Sequence, residues 1–394
     1  MGEFPSNEFQ PTRLPGYPAL IYLVFNLFGS NNLVALLFVQ AILGCITFYF
    51  IIRILEELKL DDSVIVLTTL AFNFAIIFRF SVFLPNFFFI FILTLSIFFF
   101  TKFYLNQKLS YFLYFCFFFS SLYLIRPIIH YAIFLTYPLI IFYIINLKNK
   151  FNYKFFCITA LLLLYTLSIG TQFLRSYNYD KSFIYTSQSG KHLFWVVSCL
   201  SQKYACGSKN MKVYNELKTR EQTQINKLEN VNLEKGNKIR LDIAKNYIIN
   251  ELDKKEATFA TLVSYAKLIF HSTFIEIFGA FKINVPSLYI SGENDFFKKL
   301  KNIFTNSLTD KYTGLYVLAL FSIIVLRLIQ LFGLSIAIQS KDLRMYGLII
   351  SSIVIIILAT GIGLGNPRYR SEAEPLLIIL GAIGIKGILE KIKR

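Results

Sequence analysis

The chain has 394 residues, of which 55% are hydrophobic, 17% aromatic and only 16% charged. With a mean hydropathy of +0.56 this composition excludes an ordinary soluble globular protein and points to a polytopic helical membrane protein. The formal net charge of +17 would suggest a nucleic-acid partner in a soluble protein. Here the cations flank apolar runs, where they set topology, and no nucleic-acid partner is expected.

In chain order, residues 1–30 come first, as an outer loop and a short apolar stretch. The turn Arg13-Leu14-Pro15-Gly16-Tyr17-Pro18 puts two prolines, a flexible glycine, an amphipathic tyrosine and one cation directly before the apolar run Ala19–Gly29, and Pro15 to Gly29 reads as a helix lying along the membrane interface or dipping partly in. No basic n-region with an apolar h-region precedes it, so no signal peptide is visible. Apolar runs long enough to cross a bilayer then follow at 33–55, 64–80, 87–104, 111–125, 131–147, 155–174, 315–338, 346–364 and 375–389. The expected organisation is a transmembrane bundle over 31–174, an extracytoplasmic helical insertion over 175–312 and C-terminal spans over 313–394. Within the insertion, Lys209 to Lys255 alternates charged and apolar residues at helical spacing, and Phe259 to Phe281 reads as a helix lying on the membrane.

Charge gives the orientation. Lys59, Lys102, Lys108, Lys148, Lys150, Lys154, Lys341, Arg344, Lys391, Lys393 and Arg394 fall on one side, which the positive-inside rule makes cytoplasmic, with the C-terminus. The short connections of the other side hold only arginine: Arg13, Arg79, Arg126, Arg368 and Arg370, joined by Arg175 at the end of a span. Arginine offers phosphate oxygens a planar fork, so the set points to anion recognition. The plainer reading of any one of them is a helix cap or an ion pair with a carboxylate. Arg126-Pro127 ends a span, and Arg368-Tyr369-Arg370-Ser371-Glu372-Ala373-Glu374-Pro375 leads into the last one, with Glu372 and Glu374 able to orient the two arginines. Arg327, inside a span, can snorkel toward the inner surface. His130 lies close enough to Arg126 in sequence to reach the same ligand; His192 and His271 are scattered. Five cysteines form no metal or redox motif: Cys45, Cys116 and Cys157 read as packing residues, and Cys199 and Cys206 as a disulfide pair if their segment faces outward.

Taken together, Arg13-Leu-Pro-Gly-Tyr-Pro18, Leu84-Pro85-Asn86, Arg126-Pro127 and Arg368-Tyr-Arg370 with Glu374-Pro375 resemble the bacterial dolichyl-phosphate-mannose-protein mannosyltransferase family, related to the lipid A aminoarabinose transferase. The likeness runs through nearly the whole chain. It implies an all-α bundle of the C-type glycosyltransferase fold in the bacterial inner membrane, about nine spans plus an interfacial helix. It further implies a polyprenyl-phosphate sugar as donor and a lipid, glycan or protein acceptor on the extracytoplasmic face. Arg13, Arg126, Arg368 and Arg370 would hold the donor phosphate, and Tyr17, Asn86, Tyr369 and Glu372 would line the cavity. The chain departs from the family in two ways. No first span with an acidic motif precedes Arg13, so the acidic base is expected upstream of Met1, in a longer reading frame, and the chain as written is expected to be poorly active. Asn86 stands where many relatives have an acid, and an amide can only hydrogen-bond. No cofactor is implied, and divalent-metal dependence is left open. The alternatives are a transporter or flippase of lipid-linked glycans, and a non-catalytic subunit of a glycan assembly complex.

Overall fold

The computed structural model describes residues 14–65, 68, 85–186, 188–201, 212–228, 231–270, 301, 305, 311–359 and 370–392. Among them every regular element is helical: α1 (Gly16–Phe28), α2 (Leu33–Glu57), α3 (Pro85–Asn106), α4 (Leu109–Ser121), α5 (Ala132–Ile145), α6 (Phe151–Asp180), α7 (Gln188–Leu200), α8 (Lys212–Ile225), α9 (Leu233–Asn250), α10 (Lys254–Phe270), α11 (Lys311–Gln339), α12 (Arg344–Ala359) and α13 (Glu374–Ile392). Two 3-10 turns, Leu122–Leu124 and Pro127–Tyr131, join α4 to α5.

Among the described residues five helical stretches are long and apolar enough to cross a membrane: Leu33–Glu57, Asn86–Asn106, Pro127–Ile145, Phe151–Tyr179 and Val317–Gln339. Gly16–Phe28, Leu109–Leu124 and Arg344–Ala359 are apolar but shorter. The outward faces of the long stretches carry Phe38, Phe134, Phe155, Leu163, Leu328 and Leu331, all largely exposed. A surface of this kind suits hydrocarbon and not water, so the chain is an integral membrane helical bundle. The expected span at 64–80 falls outside the described residues except at 64, 65 and 68, as does the end of the one at 346–364.

The bundle core is aromatic and aliphatic. Phe87, Phe89, Phe100, Phe103, Phe112, Phe115 and Phe119 are fully buried, which follows from the packing of α3 against both α2 and α4. The tightest seam lies between α11 and α13. A methyl group added at Gly333 would stand 1.8 Å from the Leu380 carbonyl oxygen, and one at Gly384 would stand 2.2 Å from that of Ile329. The two backbones therefore touch, an approach that only glycine permits.

One end of the bundle is tied by its loops. The Tyr104 hydroxyl donates to the Asp342 carbonyl at 2.7 Å, Tyr143 to that of Tyr104 at 3.1 Å and Tyr153 to that of Gln107. At the same end Lys102 pairs with Glu57 at 3.2 Å, and the Lys386 ammonium donates to the Lys59 carbonyl at 3.4 Å. Helices α7, α8 and α9 form a separate small core from Phe194, Val197, Leu217, Ile243, Ala244 and Tyr247. The amphipathic spacing within 209–255 thus corresponds to helices that pack on one another. Cys199 in α7 is disulfide-bonded; Cys206, its expected partner, lies outside the described residues. Cys45, Cys116 and Cys157 are free thiols.

Candidate functional site

The site begins with a backbone break. Pro127 has no N–H and disfavours helical geometry in the residue before it, so Arg126 is extended, at φ −137° and ψ 124°, between the two 3-10 turns. That break turns the Arg126 side chain out of the helical path. Its Nε donates to Oε1 of Glu372 at 2.7 Å, and its Nη2 donates to the same oxygen. Glu372 is only 1% exposed whereas the Arg126 side chain is 17% exposed, so the carboxylate forms the floor and the guanidinium the lip. Among the described residues no hydrogen bond is made by Nη1 of Arg126.

The start of α1 meets this lip. Gly16 lies so close to the preceding turn that a Cβ there would stand 2.7 Å from Cγ1 of Ile125 and 2.8 Å from the Leu124 carbonyl oxygen. Tyr17, the next residue, receives a hydrogen bond on its hydroxyl from Gln40 at 3.3 Å and packs edge-on against Phe87, ring centroids 5.7 Å apart. Asn86, beside Phe87 at the start of α3, is buried. Tyr17, Asn86, Arg126 and Glu372 are thereby carried by four elements that meet at one end of the bundle.

Two further arginines lie deeper. Arg370, 2% exposed, donates to Oε1 of Glu374 at 2.8 Å and to the carbonyls of Leu268 at 3.0 Å and Ile269 at 2.8 Å. Those carbonyls belong to the last described turn of α10, where helix carbonyls seek donors. Arg327 donates to the same Glu374 oxygen at 2.8 Å and to Oε1 of Gln330 at 2.5 Å. The expectation that Arg327 snorkels to the inner surface is corrected here. It is 8% exposed and turned inward, because Glu374 across the α11–α13 seam offers a charge partner that lipid does not. Three guanidiniums face two carboxylates in this region, leaving one positive charge in excess among the paired groups.

The histidines divide. His130 stacks on Tyr165 and Tyr185, centroids 6.0 Å and 5.2 Å away, and its Nδ1 is 3.2 Å from the Tyr165 hydroxyl. It belongs to an aromatic cluster rather than to the lip. His192 of α7, read from sequence as isolated, feels Arg126: burial first, and then that positive charge, push its imidazole below the ordinary value, so the ring is neutral at pH 7. No sequence signal ties it to Arg126, since α7 reaches the bundle only through the folding of a separate segment. Arg13, Arg79, Arg368, Tyr369 and His271 lie outside the described residues. Among the described residues no group of three or more His, Cys, Asp or Glu is arranged to hold a metal ion.

Chemically, the arrangement is a cationic lip over a buried carboxylate at the end of an apolar bundle. It can bind the anionic head of an amphiphile whose apolar part stays in lipid. The class that fold and site define is a helical integral membrane protein with a buried arginine–glutamate network under one partly exposed arginine. No protein-family model matches the chain, and no curated protein matches it.

Proposed function

We propose that the protein is a membrane glycosyltransferase that transfers a sugar from a polyprenyl-phosphate donor to a lipid, glycan or protein acceptor on the extracytoplasmic face of the bacterial inner membrane. The observation that carries this reading is Arg126: a guanidinium held by a buried carboxylate, partly open, and next to the turn at Gly16 and Tyr17. In the proposed reaction the acceptor hydroxyl gives its proton to water as its oxygen bonds to the anomeric carbon, and the sugar–phosphate bond breaks so that polyprenyl phosphate departs with the bonding electron pair. Arg126, with Arg13 and Arg368, stabilises the charge that grows on the phosphate oxygens as the sugar–oxygen bond breaks. Arg370, turned to Glu374 and to α10, braces the wall beneath Arg126. The segment 175–312 is the acceptor side, and the lysine-bearing end faces the cytoplasm.

A second reading is a transporter or flippase of lipid-linked glycans. One observation favours it: Arg327 and Glu374 form an ion pair inside the bundle, where coupling residues of transporters lie. Proteoliposomes given a radiolabelled polyprenyl-phosphate sugar separate the two. Released polyprenyl phosphate that vanishes in Arg126→Gln is the transferase result; intact donor in the opposite leaflet is the transporter result. Donor bound but neither turned over nor moved is the result of a transferase without its acidic base or of a non-catalytic subunit, and an absence of binding removes all three.

A further inference from the structure

Arg126 and Glu372 are unequally placed. The carboxylate is almost fully buried and takes both Nε and Nη2 on a single oxygen, so one edge of the fork is occupied from below. The remaining nitrogen, Nη1, makes no hydrogen bond among the described residues. The backbone at 126 is fixed as well, by the following proline and by the amide hydrogen bond from Arg126 to the Leu122 carbonyl at 3.0 Å. A guanidinium anchored at both its base and one edge has little freedom left, so the direction of Nη1 is set by the anchor.

We infer that Glu372 is a positioning residue with two effects on a phosphate at Arg126: it fixes the direction of Nη1, and it weakens the site for anions by neutralising part of the arginine's charge. This rests on the transferase reading, and it explains why a site meant to release a phosphate contains a carboxylate. The donor is a phosphodiester with one negative charge, whereas the departing polyprenyl phosphate is a monoester that can bear two. A bare, half-desolvated arginine would hold the product more tightly than the donor, since attraction scales with the product of the charges and is strengthened away from water. A paired arginine still stabilises the growing charge and lets the product leave.

The two effects are separable because they respond oppositely to substitution. Glu372→Gln keeps a carbonyl oxygen in the place of Oε1 and so preserves the geometry, but removes the charge. Glu372→Ala removes both. Binding of polyprenyl phosphate, with the matching polyprenol as reference, is to be titrated to the detergent-solubilised full chain. Wild-type protein should prefer the phosphate over the alcohol, and Arg126→Gln should lose that preference. Glu372→Gln should bind the phosphate about 3- to 10-fold more tightly than wild type, the scale expected of one partly screened charge. Glu372→Ala should bind it more weakly. If the alanine variant does not fold, Glu372→Asp takes its place, keeping the charge but withdrawing the oxygen by one methylene, and weaker binding is again expected. A merely structural glutamate would shift the glutamine and alanine variants in the same direction, and that outcome overturns the inference while leaving the Arg126 site standing. Equal binding of phosphate and alcohol by wild-type protein overturns the site and the inference together.

Discussion

Glu374 receives two buried arginines at once. Its Oε1 receives hydrogen bonds from Arg327 and Arg370, both at 2.8 Å, and all three side chains are at least nine-tenths buried. Removing one partner from a buried ion pair leaves uncompensated charge in a medium that solvates it poorly. Glu374→Gln keeps the hydrogen-bond acceptor but strands two guanidiniums, and should cost on the order of 3–5 kcal/mol in unfolding experiments in detergent. Arg370→Met should cost less than Glu374→Gln, because Arg327 then keeps its partner. A Glu374→Gln variant as stable as wild type would show that the pairing contributes nothing. Part of this network is legible in sequence: Arg370 and Glu374 are four residues apart at a helix start, where such pairs meet. The pairs Arg126–Glu372 and Arg327–Glu374 span 246 and 47 residues, and no local pattern predicts contacts at that range. Arg327 was misjudged from sequence because snorkelling is the cheapest option for an isolated helix, while a packed helix can find a carboxylate instead.

His192 adds a pH dependence at the same scale. Its imidazole is depressed in the folded state, so as pH falls the unfolded chain takes up the proton first, and protonation favours unfolding. The contribution of His192 to stability is therefore complete above the ordinary imidazole value and is lost as pH falls from there through the folded value. His192→Gln should flatten this part of the stability profile between pH 7 and 5, read by thermal unfolding. The pair Glu251–Arg220 acts lower on the scale: the hydrogen bonds from Arg220 hold the Glu251 carboxyl down, so its contribution disappears only as pH falls below the ordinary carboxylate range.

At the scale of elements, the hydropathy pattern locates most helices, since an apolar run of membrane length has few other folds open to it. Helix ends are less legible. Leu109–Ser121 gives way to 3-10 turns before Arg126 because Pro127 acts on the residue preceding it, and that break, not the run of apolar residues, positions the lip. The α11–α13 seam was missed, although Gly381, Gly384 and Gly387 stand three apart in sequence, because spacing alone does not say which helix they meet. With Cβ distances of 1.8 Å and 2.2 Å to opposing carbonyl oxygens, Gly333→Ala and Gly384→Ala must each push the helices apart. Each should cost about 1–3 kcal/mol, as overpacking does. Gly170→Ala, where an added Cβ meets nothing within 4 Å, is the control and should be neutral or slightly stabilising. Equal stability of all three variants would mean that the seam is looser than described.

At the scale of the whole molecule, the proposed orientation, with the lysine-bearing end in the cytoplasm, makes a testable asymmetry. Lys59, Lys102, Lys154 and Arg344 gather at the end where Tyr104, Tyr153 and Lys386 tie the loops together. Arg126, Glu372 and the turn at Gly16 meet elsewhere, beside the α10 carbonyls that hold Arg370. The segment with α7, α8 and α9 is also rich in lysine, yet a long folded segment is translocated largely regardless of its charge, whereas lysines in short loops are retained. Lys148→Cys, in the short loop between α5 and α6, should therefore be shielded from a membrane-impermeant maleimide in intact cells and react only after permeabilisation. Lys227→Cys, just after α8, should react in both conditions. The exposed thiol at Cys45 faces outward from the middle of α2, so a Cys45→Ala background removes its signal. The reverse labelling pattern would invert the molecule, put the Arg126 lip on the cytoplasmic side, and leave an extracytoplasmic transferase without its site.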